Sequence, residues 1–301
     1  MKIQANGIAL EVEDSGGSGD AVLLIMGLGG QLIHWPASLV QALIDEGFRV
    51  ISFDNRDSGL SAHHQGGRAP NIPWIATRAW LGLGSRVPYT LADMAADALG
   101  VLEVLGVHRA HVVGISMGAM IAQRVALAAP ERVLSLSSVM GSSGARGIMK
   151  PKAAVMRAAA SKPRDQSDIQ ALSRYYIRFF KAISSPTLAP SEAALLEAFE
   201  RTERRHPPET AATSRQLAAI LADTSRVHML SRIQCPTLVM HGADDPFVPS
   251  ACGVDTARRI PGARLEIIPD MAHDLVPAPH PEIVRRTLAV LIPFLRASLR
   301  S

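Results

Sequence analysis

The residues able to do chemistry fall in three short segments. The first is Gly114-Ile115-Ser116-Met117-Gly118, the sole G-x-S-x-G of the chain. Val112-Val113 supplies a strand before it and Ala119 to Ala129 a helix after it, the strand–turn–helix setting that turns this pattern into a nucleophile elbow. Small residues are needed there because a side chain two positions before or after the serine would strike the crossing backbone. The serine hydroxyl is then held out in a strained conformation at the edge of a sheet.

A serine hydroxyl attacks a carbonyl only when a base takes its proton, and that base needs an orienting acid. In this setting the chain order is serine, acid, histidine. Downstream, the apolar strand Thr237 to Met240 runs into His241-Gly242-Ala243-Asp244-Asp245-Pro246. An acid just past a strand end sits at the carboxyl edge of the sheet, where a histidine could be oriented. Asp244 and Asp245 both qualify, and the proline after Asp245 restrains its backbone. The third segment is Pro269-Asp270-Met271-Ala272-His273-Asp274. Of the ten histidines, His273 is the one in the required position, on the loop just after the last strand, while His280 lies between two prolines. The others read as packing or surface residues.

Developing negative charge on a carbonyl oxygen calls for backbone donors. Met117, directly after the nucleophile, offers one N–H. The loop Met26-Gly27-Leu28-Gly29-Gly30 offers another, at Leu28. A dinucleotide fingerprint is excluded on this loop, because the third glycine of G-x-G-x-x-G would fall at Leu32. Met26, Trp35 and Met140 lie beside these positions as candidate lining for an apolar substrate pocket, core packing being the competing reading.

The elements that must position these groups alternate strand and helix. Ile8–Val12 reads as an edge strand, and Ala21–Met26, Arg49–Phe53, His111–Val113, Val133–Met140, Thr237–Met240 and Arg264–Ile268 as further strands. Ser38–Glu46, Thr90–Leu105, Met117–Ala129 and Pro281–Leu299 read as helices. The apolar runs without alternation imply strands covered on both faces, hence a mainly parallel sheet. From Gly141 to Leu230 there are only helical patterns, over Ser167–Ile183, Ser191–Arg205 and Glu209–Ala222. The expected organisation is a core formed by 1–140 and 231–301 with a helical cap inserted at 141–230. Ala62 to Tyr89, with Gly66-Gly67, Pro70 and Pro73, reads as a long irregular loop.

Together these segments resemble the α/β-hydrolase superfamily across essentially the whole chain, including Asp54-Asn55-Arg56-Asp57-Ser58-Gly59-Leu60-Ser61. Within it the sequence looks most like the branch of aclacinomycin methylesterases and related carboxylesterases, through Met26-Gly27 at the oxyanion loop, Trp35, and the acid after Arg56. The resemblance implies an α/β-hydrolase fold with an eight-stranded-type sheet, helices on both faces and an inserted cap. In the family pattern G-x-x-D the acid is the third residue after glycine, which selects Asp245. There are two departures: Met26 replaces the usual histidine before Gly27, and Asp57 stands where the commoner motif has glycine. The implied activity is hydrolysis of small to medium apolar carboxylic esters, with no metal or organic cofactor. A dehalogenase or epoxide hydrolase would carry aspartate at position 116. Perhydrolase and carbon–carbon bond hydrolase chemistry use the same triad. A binding protein on this fold would lack a triad member.

Composition adds boundaries. The chain has 301 residues, 48% hydrophobic and 19% charged, enough for a sizeable core and unlike a disordered chain. No apolar run is long enough for a membrane span, and the first residues lack the apolar core of a secretory signal. A cytoplasmic enzyme of unassigned oligomeric state is expected. Cys235 and Cys252 are too few for a disulfide scaffold. The net charge of +4 is uneven: 141–230 holds 14 Lys plus Arg against 8 Asp plus Glu, the remainder 17 against 19. With acids interspersed, this reads as a solvated cap surface and not a nucleic-acid groove.

Overall fold

A computed structural model describes residues 1–65, 69–163, 165 and 167–298. Positions 66 and 67 of the irregular stretch, and the Leu299 end of the final helix, lie outside the described residues. Eight strands form one sheet: β1 (Lys2–Ala5), β2 (Ile8–Asp14), β3 (Ala21–Ile25), β4 (Arg49–Phe53), β5 (Ala110–Ile115), β6 (Val133–Val139), β7 (Thr237–Gly242) and β8 (Arg264–Ile268). Their order is β1-β2-β4-β3-β5-β6-β7-β8. The β1–β2 and β2–β4 pairs are antiparallel and the rest parallel.

Alternation along the buried strands decides which layer each side chain joins. In β3, Leu23 and Ile25 pack with α3 (Leu91–Val104) and α4 (Met117–Ala128), through Met94, Val101, Met120 and Ile121. Val22 and Leu24 pack on the opposite face with α1 (Ala37–Asp45) and α10 (Pro281–Ala297), through Leu39, Leu43, Ile283 and Leu295. Successive residues of a strand point to opposite faces, so a continuous apolar run is what a two-sided core requires.

The register brings the carboxyl ends of the parallel strands level. Ile25 pairs with Phe53 and Gly114, Gly114 with Ser138, Val139 with Met240, and Gly242 with Ile268. The loops carrying Gly27, Asp54, Ser116, Asp245 and His273 therefore all leave from one edge.

Four elements differ from the sequence expectation. β2 is not the edge strand, because β1 pairs outside it. The turn joining them is Asn6-Gly7, both residues at positive φ, the arrangement a two-residue hairpin demands. The expected loop 62–89 contains α2 (Ile72–Leu81), capped by Asn71 and ended by Gly82. The interval 141–230 holds α5 (Ala153–Ala160) in addition to α6 (Ile169–Ile183), α7 (Glu192–Arg205) and α8 (Thr210–Ala222). α9 (Ser250–Arg259) lies between β7 and β8.

Candidate active site

The elbow is as tight as its sequence requires. Ser116 has φ 56°, in the region side chains avoid, and its N–H donates to the Val139 carbonyl at 2.8 Å. A Cβ on Gly118 would lie 2.0 Å from the Ile25 carbonyl oxygen, and one on Gly114 would lie 2.1 Å from that of Gly118. Only glycine permits α4 to pass this close to β3 and β5. Gly27 faces Ser116 from the neighbouring loop: its missing Cβ would sit 3.2 Å from Ser116 Cβ.

His273 Nε2 lies 3.0 Å from Ser116 Oγ and His273 Nδ1 lies 2.7 Å from Asp245 Oδ2. A carboxylate beside Nδ1 places the ring proton there, which leaves the Nε2 lone pair to accept the serine hydroxyl. Asp245 and His273 are buried, while Ser116 is half-buried. The loops after β7 and β8 are locked together by main-chain bonds, Ala243 N–H to the Ile268 carbonyl and Asp244 N–H to that of Met271, each 3.0 Å. This pairing turns Asp245 inward and leaves Asp244 exposed.

Asp245 is held on every side. Its Oδ1 accepts the N–H groups of Phe247 and Val248 at 2.9 and 2.8 Å. The buried His241 brings Nε2 to 3.4 Å from Oδ2 and to 2.7 Å from the Val248 carbonyl, so Nε2 carries the hydrogen. Burial alone would raise the Asp245 pKa, but the charge and hydrogen bonds of His273 and His241 outweigh it and hold the carboxyl far below its ordinary value. His273 is fixed in turn by its own N–H, which donates to the Ile183 carbonyl at the end of α6 at 3.0 Å. The adjacent Asp274 carboxylate accepts Ser185 N–H at 2.6 Å and Ala272 N–H at 3.0 Å. Phe247 stands edge-on to the His273 ring at 5.2 Å, and Phe179 of α6 stands edge-on to Phe247 at 5.9 Å.

The N–H groups of Leu28 and Met117 donate to no acceptor among the described residues. Asn55 Nδ2 donates to the Met26 carbonyl at 2.9 Å, and Asp54 Oδ1 accepts Leu32 N–H at 2.7 Å, bracing both ends of the Gly27–Gly30 loop. Met26, Trp35 and Met140 are at most 6% exposed and pack in the core cluster with Ile115 and Val139. That burial leaves them little exposed surface. Trp35 also lines a groove of about 900 Å³ beside α1, whose wall includes none of Ser116, Asp245 and His273.

Two further findings were not read from the sequence. Arg205 and Arg215 do not form a solvated surface. Arg205 Nη1 lies 2.7 Å from Asp54 Oδ2, and Arg215 grips both oxygens of the fully buried Asp57 at 2.7 Å each. Tyr89 Oη donates to the same carboxylate at 2.6 Å. Burial pushes Asp57 upward, yet Arg215 and Tyr89 more than offset this and leave its pKa below the ordinary value. Asp57 has φ 64°, which explains why glycine serves at this position elsewhere and identifies the acid as the gain. No group of three or more His, Cys, Asp or Glu side chains placed to hold a metal ion occurs among the described residues, and no described helix is long and apolar enough to cross a membrane.

Fold, elbow and loop geometry define the class: residues 20–277 match the alpha/beta hydrolase fold family, and the chain belongs to it. Among curated proteins it is 32% identical over 299 residues to the rhodomycin D methylesterase DnrP of Streptomyces peucetius, covering 91% of each chain. Among solved structures it resembles a thermophilic esterase from Thermogutta terrifontis, with 25% identity, 98% coverage of each chain and a TM-score of 0.64. The meta-cleavage product hydrolase CumD of Pseudomonas fluorescens IP01 shares the fold at 18% identity, with 99% and 98% coverage and a TM-score of 0.74.

Proposed function

We propose that this chain is a serine esterase that hydrolyses carboxylic esters through an acyl-enzyme. The observation that carries the reading is the continuous hydrogen-bonded line from Ser116 Oγ through His273 to Asp245, at 3.0 and 2.7 Å. His273 Nε2 takes the hydroxyl proton as Ser116 Oγ adds to the ester carbonyl, and Asp245 stabilises the imidazolium so formed. The N–H groups of Leu28 and Met117 receive the oxyanion. Collapse breaks the ester C–O bond, and the leaving alkoxide takes its proton from His273. Water, deprotonated by the same nitrogen, then adds to the acyl carbon, and a second collapse releases the acid and returns the proton to Ser116.

In this reading 141–230 is a cap over a core formed by 1–140 and 231–301. Phe247, edge-on to His273, and Phe179, edge-on to Phe247, support a small to medium apolar substituent on the substrate. The name of the DnrP relative, a methylesterase, supports the ester bond. The test is turnover of p-nitrophenyl esters of increasing acyl length, aryl esters and lactones, with hydrogen peroxide as a competing nucleophile. Turnover of an ester by the natural chain and its loss in a folded Ser116→Ala variant are expected. Equal turnover by that variant would overturn the assignment.

A further inference from the structure

The oxyanion loop is held from outside the core. Gly27 to Gly30 form a turn closed by Gly30 N–H to the Gly27 carbonyl at 3.1 Å, with Gly29 at φ 66°. Its ends are tied to the loop after β4 through Asn55 and Asp54. Its middle is held by one residue of α8: Gly29 N–H donates to Gln216 Oε1 at 2.8 Å. The amide orientation of Gln216 is fixed, because Nε2 donates to the Arg56 carbonyl at 2.8 Å and to Ser58 Oγ at 2.9 Å. Gln216 is completely buried and spends its polar atoms on two catalytic-edge loops. One turn earlier on α8, Thr213 Oγ1 would lie 3.5 Å from a Cβ on Gly29, so the loop lies flat against this helix.

We propose that Gln216 is a positioning residue for the oxyanion hole, an inference that rests on the serine-esterase reading. The Gly29 N–H belongs to the same rigid peptide plane as the Leu28 carbonyl. Anchoring that plane fixes the torsion after Leu28, and with both loop ends tied the Leu28 N–H, which has no acceptor among the described residues, is held in one orientation. A donor set in advance stabilises developing charge without reorganisation, and its misplacement costs rate more than substrate binding. The neighbouring Arg215–Asp57 pair ties the same turn of α8 to the loop after β4, a second anchor for the helix that bears Gln216. The helical insertion is thereby part of the catalytic frame.

The test compares Gln216→Met, similar in length but without the polar ends, with Gln216→Glu, whose carboxyl, kept protonated by burial, retains an acceptor for Gly29 N–H and an O–H donor for the Arg56 carbonyl. Both are measured for kcat and KM on a short p-nitrophenyl ester, for inhibition by a boronic acid, and for the urea midpoint. The boron atom accepts Ser116 Oγ and becomes tetrahedral, with a boron hydroxyl in the oxyanion position. For Gln216→Met, kcat falls about 10- to 100-fold, KM stays within about threefold, and the boronate Ki rises in step with the loss of kcat/KM. Gln216→Glu recovers most of the rate. A folded Gln216→Met chain with undiminished kcat, or a folded Gln216→Glu chain as slow as Gln216→Met, overturns the proposal. If the methionine variant fails to fold, a loss of more than about tenfold in Gln216→Glu does so instead. A natural chain that neither turns over esters nor binds the boronate refutes the esterase reading itself.

Discussion

Replacing Asp57 separates two opposing effects of known sign. The carboxylate accepts four hydrogen bonds, from Arg215 Nε and Nη2, Tyr89 Oη and His64 N–H, all between 2.6 and 2.8 Å. Asp57→Gly removes all four and leaves the Arg215 guanidinium buried without its partner, a loss of about 3–5 kcal/mol. Glycine also relieves the left-handed backbone at φ 64°, a gain of about 1–2 kcal/mol. The net expectation is destabilisation by about 1–4 kcal/mol, and Asp57→Ala, without the backbone relief, loses about 3–5. Arg215→Met placed on the Asp57→Gly background restores much of the loss, because an apolar side chain has no charge to leave unpaired. Urea unfolding followed by fluorescence measures each midpoint at constant slope. An Asp57→Gly chain as stable as the natural one, or more stable, would show that the backbone strain outweighs the ion pair and would refute this account of how α8 is docked.

The choice between the two candidate acids is directly testable: Asp245→Asn lowers kcat about 10⁴-fold by disturbing the His273 tautomer, while the exposed Asp244→Asn keeps activity within about threefold, both read with a short ester. Two separate buried histidines set an acid limit on stability. Burial brings His111 down to about 4, and burial with the charges of Arg201 and Arg205 brings His34 down to about 3. Between pH 6.5 and these values the unfolded chain binds protons that the native chain refuses, so stability is present above 6.5 and falls on acidification. His111→Gln reduces the loss between pH 7 and 4 by about 3 kcal/mol in urea titrations; an unchanged pH slope would contradict the burial argument.

The elbow, the His273 loop and the parallel core were legible because each depends on local pattern: glycines at fixed offsets from Ser116, and apolar runs long enough for a two-faced strand. β1 carried a readable Asn6-Gly7 turn, but only Ala5 of its four residues is buried, so hydropathy gave no strand. α2 escaped because Trp74 and Trp80 are exposed, at 59% and 72%, and blur the division between apolar and polar faces. The charge distribution was visible, yet its meaning was not. An arginine in an amphipathic helix has the same sequence signature whether it meets water or a buried aspartate. Asp57 in place of glycine was the one local sign that Arg215 had a partner. Gln216 gave no sign, since its role depends on a loop 187 residues away.

In the proposed mechanism Ser116 is an activated nucleophile. Incubation of the folded chain with a fluorophosphonate, which loses fluoride as a serine oxygen bonds to phosphorus, followed by digestion and mass spectrometry, tests it without a choice of substrate. The predicted result is one adduct on the peptide containing Ser116, absent in Ser116→Ala and strongly slowed in His273→Ala. An unlabelled Ser116, or labelling that does not depend on His273, would contradict it.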